Sequence, residues 1–231
     1  MALTDDAIAR IKDMILTGEL SPGDKLPPEN DLSEKLGLSR SSLREAVKAL
    51  ETIRVLDVRR GDGTYVTSLE PALLKESVAF MVDLSRDSSV LELLEVRRIL
   101  EASAASLAAQ AVSPEQLVLL HKEIDDVDVE SAENLVEHDL NFHALIAEAS
   151  GNSYLASLLS GLNSRTVRAR VWRALTEQDA VARTLAEHRA IADALANHDA
   201  DLARALTIVH VSGVEHWLRR SLPAKLERPG S

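Results

Sequence analysis

The stretch LGLSRSSLREAVKALETIRVLDVRRGDGTYV, residues 36–66, decides the fold. Gly37 closes a short helical run, ENDLSEKL, and two residues later Ser39 offers a hydroxyl to cap the next helix. In that second run Leu43, Val47 and Leu50 recur at helical spacing, so one face is built for a core. VLDVRR and TYVTS then read as two short strands around GDG, a β-hairpin. Helix, tight turn and helix form a helix-turn-helix, whose second helix puts its N-terminal side chains into the major groove of DNA. Here those side chains are Ser39, Arg40, Ser41, Ser42 and Arg44. Arginine can bond guanine O6 and N7 bidentately and hydroxyls can hold phosphates, while Arg40 and Arg44 share the face opposite the apolar stripe. The hairpin adds Arg59, Arg60, Gly61 and Gly63, a basic wing slim enough to approach the DNA backbone or minor groove.

Working outward, TDDAIARIKDMILT (4–17) places Ala7, Ile8, Ile11, Ile15 and Leu16 at helical spacing, and the Pro- and Gly-rich GELSPGDKLPPEN enforces a turn. Beyond Leu69 the β-prone runs vanish. Helical patterns cover about 71–84, 90–111, 114–127, 131–150, 152–175, 178–197 and 200–221, with breaks at Pro71, SRDSS, Ser113–Pro114, Gly151–Asn152 and Asn197–Asp199. The expected organisation is a DNA-binding module at 1–68, an all-α antiparallel helical bundle at 69–222 and a flexible tail at 223–231. The fold class is mainly α.

Composition narrows the chemistry. The chain of 231 residues has no cysteine, which removes disulfides, thiolate metal sites and a Cys nucleophile. Net charge is −11, but it is uneven: residues 1–69 hold 10 Lys/Arg against 12 Asp/Glu, and the remainder holds 16 against 25. Any DNA contact therefore rests on local clusters, since the acidic remainder repels a duplex. With no long apolar run and no leader pattern at the N-terminus, the expectation is a cytoplasmic protein with no membrane partner.

Residues 4–67, through PGDKLP, SRSSLREA and GDGTYV, closely resemble the winged-helix domain of the GntR family of bacterial transcription regulators. The resemblance implies operator contacts by Arg40, Arg44 and the glycine-rich wing tip. Two positions depart from the family pattern: Asn30 stands where an arginine is usual, and Asp62 replaces the arginine of a GRGT wing. Both remove positive charge that would face phosphate.

In the helical region, EHDLNFHALIAEASGN (137–152) sets Asp139 and His143 four apart, on one helical face. His138, one residue from Asp139, points about 100° away. His188 and His210 each lie 11 residues from position 199, the centre of a tight turn, so an antiparallel hairpin brings them level. The two pairs together would make an Asp-His₃ set suited to Zn²⁺, Ni²⁺ or Mn²⁺ with positions left for water or ligand. Core packing of the same side chains is the competing reading of the spacing alone.

EVRRILE, DLNFHALIAEASGN and EHRAIADALANHDADLA, with the later His210, resemble the FCD effector domain of the FadR subfamily over residues 72–220. That resemblance implies a metal, Zn²⁺ first, held by Asp139, His143, His188 and His210, and a small organic carboxylate effector that coordinates it. It also implies that Arg97 contacts the effector; an i,i+4 surface pair with Glu101 is the alternative for Arg97. The function expected is a homodimeric regulator, a repressor relieved by ligand, reading a pseudo-palindromic double-stranded DNA operator. A metal-dependent hydrolase fused to a DNA-targeting module is the alternative. No HExxH or G-x-S-x-G motif marks a catalytic residue.

Overall fold

The computed structural model describes residues 3–84 and 89–221. The expected tail at 223–231 and most of the SRDSS break lie outside the described residues. The chain divides into two compact units, Met1–Leu73 and Leu74–Ser231.

The first unit contains α1 (Leu3–Leu16), α2 (Glu29–Leu36), α3 (Arg40–Thr52), β1 (Leu56–Arg59) and β2 (Gly63–Val66). Gly37 adopts φ 64°, the left-handed conformation that a side chain resists. Its N–H bonds the Glu34 carbonyl at 3.1 Å and that of Leu38 bonds Ser33 at 3.0 Å, so α2 is stopped within one turn. Ser39 then accepts from the Ser42 amide at 3.1 Å and starts α3. The strands pair antiparallel, from Leu56 opposite Val66 to Arg59 opposite Gly63. Ile11, Leu32, Leu43 and Leu56 meet in a core closed to water. Leu16 departs from the expected stripe, being 71% exposed while Met14 is buried. It lies five residues past Ile11, about 140° around the helix, and so leaves the core face.

The second unit is all-helical. It holds α4, which begins just before the boundary (Ala72–Leu84), then α5 (Val90–Ala111), α6 (Pro114–Asp125), α7 (Ala132–Ala149), α8 (Ser153–Gly161), α9 (Asn163–Thr176), α10 (Ala180–Ala196) and α11 (Ala200–Ser221). Helices α5 and α11 pack along much of their length. On α5, Ala102, Ala105 and Ala109 are buried, small side chains that let a neighbouring backbone come close. A capping box at Ser113 and Gln116 behind Pro114 starts α6, and Ser131 and Asn152 cap α7 and α8.

The run expected as one helix over 152–175 is two helices, α8 and α9. At the junction the Leu162 amide is shared between the carbonyls of Leu158 and Leu159, both at 3.2 Å, a local tightening of the ladder. Gly161 lies against α4 there, and a Cβ on it would stand 2.7 Å from the Val78 Cβ. Close approach, invisible to periodicity, sets that break. Among the described residues no helix is long and apolar enough to cross a membrane.

Candidate functional site

Three helices of the second unit supply one cluster of four side chains. Asp139 and His143 come from α7, His188 from α10 and His210 from α11. All four are buried, and one ligand atom from each lies within 4.8 Å of the others. The α10–α11 turn spans Asn197–Asp199, with His198 at φ 55°, and this short connection sets the two helices side by side. Across it His188 Nε2 and His210 Nε2 stand 3.3 Å apart. His210 Nε2 is 3.4 Å from His143 Nε2, which is 3.7 Å from Asp139 Oδ1.

The outward nitrogens determine what the inward ones carry. His143 Nδ1 faces Glu101 Oε2 at 3.0 Å and His210 Nδ1 faces Glu187 Oε2 at 2.8 Å. A carboxylate only accepts, so each Nδ1 holds the proton. His138 Nδ1 meets the Glu123 backbone carbonyl at 2.9 Å and must donate to it. Its Nε2 then accepts from His188 Nδ1, also at 2.9 Å. In their neutral forms all three site histidines therefore turn unprotonated Nε2 lone pairs toward one another. Lone pairs in such contact repel unless a cation sits among them. Orientation of a ligating imidazole through its other N–H is the arrangement metal sites use. The donor set, three imidazoles and a carboxylate, fits a divalent metal with positions left open.

A ring of charge surrounds the cluster. Arg97, on α5, forms an ion pair with Glu101 and bonds Asn163 and the Thr166 hydroxyl, the last at 2.9 Å. Arg170, on α9, pairs with Asp139 and reaches Asn163 at 3.3 Å. Burial opposes charge on both carboxyls, yet the arginines and His143 outweigh it and hold Glu101 and Asp139 below the usual carboxylate range. Burial also opposes the charged form of His143, but Glu101 and Asp139 prevail and its pKa rises. For His188 and His210 burial dominates and lowers the pKa, keeping both neutral and able to ligate. Burial brings Arg170 down to about 10.

Arg97 thus reaches the cluster through Glu101; this pair, which the sequence offered as a surface alternative to effector contact, is buried. It does not line the adjoining cavity of ≈ 40 Å³, whose wall includes Asp139, His210, Arg170 and Arg173. Sequence reasoning missed Glu101, Glu187 and Arg170, and treated His138 only as pointing away. The arginine-dense RTVRARVWR was the one available signal, since a buried helix seldom carries so many charges without partners.

In the first unit Ser39, Arg40, Ser41 and Arg44 are exposed at the start of α3, whereas Ser42 is buried and its hydroxyl lies 2.8 Å from that of Ser39. Arg44 Nε donates to Glu29 at 2.9 Å. At the wing, Arg59 Nε bonds Asp57 at 2.9 Å and its guanidinium covers the Tyr65 ring at 4.2 Å, while Arg60 is exposed. Gly61 turns the wing at φ 78°, and Gly63 makes room for the Lys25 side chain. Asp62 accepts from Lys25 at 3.1 Å and from the Tyr65 hydroxyl at 2.8 Å, so its charge is partly answered within the unit.

Comparison with known proteins places both units. Residues 3–66 match the bacterial regulatory proteins of the gntR family, and residues 92–213 match the FCD domain. The chain belongs to the GntR family. This GntR regulator is 35% identical over 153 residues to the HTH-type transcriptional regulator LutR of Bacillus subtilis, covering 65% of this chain and 69% of the relative. It is 33% identical over 154 residues to the Uxu operon transcriptional regulator of Escherichia coli, across 65% of this chain and 59% of that protein. Among solved structures, Streptococcus agalactiae GntR shares 30% identity, covers 93% of this chain and 99% of its own, and superposes with a TM-score of 0.65. These relatives and families are transcription regulators, not enzymes, and the hydrolase alternative has no support among them.

Proposed function

We propose that this GntR regulator is a cytoplasmic homodimeric repressor that senses a small organic carboxylate through a divalent metal, Zn²⁺ first and Ni²⁺ or Mn²⁺ next. Asp139, His143, His188 and His210 would hold the ion. The observation that carries this reading is the convergence of three Nε2 atoms at 3.3 and 3.4 Å, each ring oriented by a partner on its Nδ1. The metal, when bound, supplies positive charge and open positions for a carboxylate oxygen. Arg97 and Glu101 orient His143, and Arg170 holds Asp139 toward the cluster.

Ser39, Arg40, Ser41 and Arg44 would read one half-site of a pseudo-palindromic operator, with Arg59, Arg60, Gly61 and Gly63 on the adjacent backbone. Ser42 would contribute through the cap it shares with Ser39. Effector binding alters repression only if it differs in energy between the DNA-bound and free states.

The test is native mass spectrometry of the purified full chain, joined to gel shifts on an operator selected from random duplex DNA. One metal per protomer in a dimer, with operator release by carboxylate only when metal is present, supports the proposal. A metal-free protein as isolated that also refuses Zn²⁺, Ni²⁺ and Mn²⁺ removes the sensor reading. Operator binding that follows metal alone, whatever carboxylate is added, makes the metal itself the signal.

A further inference from the structure

We propose that Arg173 is a second anchor for the effector, and that the effector is a short acid with two anionic groups, one for the metal and one for Arg173. This rests on reading Asp139, His143, His188 and His210 as a metal anchor.

Arg173 follows Arg170 on α9 by three residues and lines the same cavity as Asp139 and His210. It is 4% exposed. Its Nε donates to Glu177 at 2.7 Å, yet its Nη1 is sealed from water with no hydrogen-bond partner among the described residues. A buried charged N–H left unpaired is costly and is kept only where something else meets it. Glu177 does not neutralise the region, because it also receives Arg183 at 2.7 Å and Arg220 at 3.5 Å. Three guanidiniums share one carboxylate, which leaves a positive surplus beside the cavity. Arg170 differs, since Asp139 answers its charge.

The room available fits a small anion. Gly213 faces the Arg173 guanidinium, and even a Cβ there would come within 3.4 Å of Nη1. Leu135, Val181, Leu185 and Val214 give the cavity apolar walls, and its ≈ 40 Å³ favours a short ligand over a bulky one. Side chains three apart on a helix are separated by roughly 5–6 Å. Arg170 marks the metal end through Asp139, so Arg173 lies about one turn along, a span that two carboxylates joined by a short carbon chain can bridge.

Calorimetry on the metal-loaded full chain tests this, with malonate, succinate and glutarate as diacid probes and propionate and L-lactate as monoanionic controls. At least one diacid should bind on the order of 10-fold to 100-fold more tightly than either control, the worth of a charge-assisted hydrogen bond. Arg173→Gln should erase most of that preference, lower propionate affinity far less, and leave metal content by elemental analysis unchanged. If the variant does not fold, the ranking of probes on the wild-type protein still decides. Diacids no tighter than the controls, L-lactate equal to the best diacid, or a variant that weakens every probe by the same factor would each overturn the assignment. A diacid preference that persists after chelation keeps Arg173 as an anchor and instead removes the metal reading.

Discussion

The two charged regions of this GntR regulator are built by opposite rules. On the winged-helix unit the arginines stand in water. Arg40 and Arg60 are exposed, and Arg44 and Arg59 make short pairs with Glu29 and Asp57 that solvent screens. In the helical unit Arg97, Arg170 and Arg173 are all nearly closed to water; carboxylates on α5 and α7 answer the first two, while Arg173 shares Glu177, just after α9, with two other arginines. The exposed set can trade its partners for phosphate at little cost to the fold. The buried set is part of the fold, and a change there costs stability.

The strongest way to break this contrast is to remove a candidate ligand. His188→Ala and His210→Ala should each abolish stoichiometric metal in elemental analysis and lower the melting temperature of the metal-loaded protein. Variants that keep wild-type metal content would refute the pairing across the α10–α11 turn. Next in size, Glu101→Ala strands Arg97 in the interior and frees His143 Nδ1. Urea denaturation should show a loss of about 3–5 kcal/mol, the penalty for an uncompensated buried charge. A change as small as that of a surface pair would mean the ring around the cluster is looser than its geometry.

On the exposed side, Arg40→Ala or Arg44→Ala should weaken binding to the selected operator on the order of 10-fold to 100-fold, with melting temperature and metal content unchanged. Unaltered gel-shift affinity would remove α3 as the reading helix. The smallest effect is in pH. Metal needs neutral His143, whose pKa is raised above its ordinary 6.5 by Glu101 and Asp139 against the opposing effect of burial. Metal affinity should be steady at high pH and fall by about tenfold per pH unit as the pH drops through that raised value. The stability that charged His143 gives the metal-free protein has the reverse sign: it is present below 6.5 and lost as pH rises through the raised pKa. Calorimetric titrations with metal that are flat from neutral to mildly acidic pH would show that His143 gives up no proton.

Much of this architecture is local and so was written in the sequence. Gly37 and Ser39 stop one helix and start the next through bonds made within six residues, and the hairpin follows from the glycines around Asp62. Asp139 with His143, and His188 with His210, also followed from spacing, because a helix face and a short turn are both short-range geometry. What lay beyond reach was long-range. Glu101 lies 42 residues from His143, and Asp139 lies 31 from Arg170. Whether such charges are partners or solvated strangers depends on which helices touch. Tertiary packing alone decided that α5 and α9 press against α7, that the one-helix expectation over 152–175 yields at Gly161 to the approach of α4, and that Arg97 faces Glu101 inside the unit. A charge pattern names candidates; only the loss of water around them forces each to find its counter-charge.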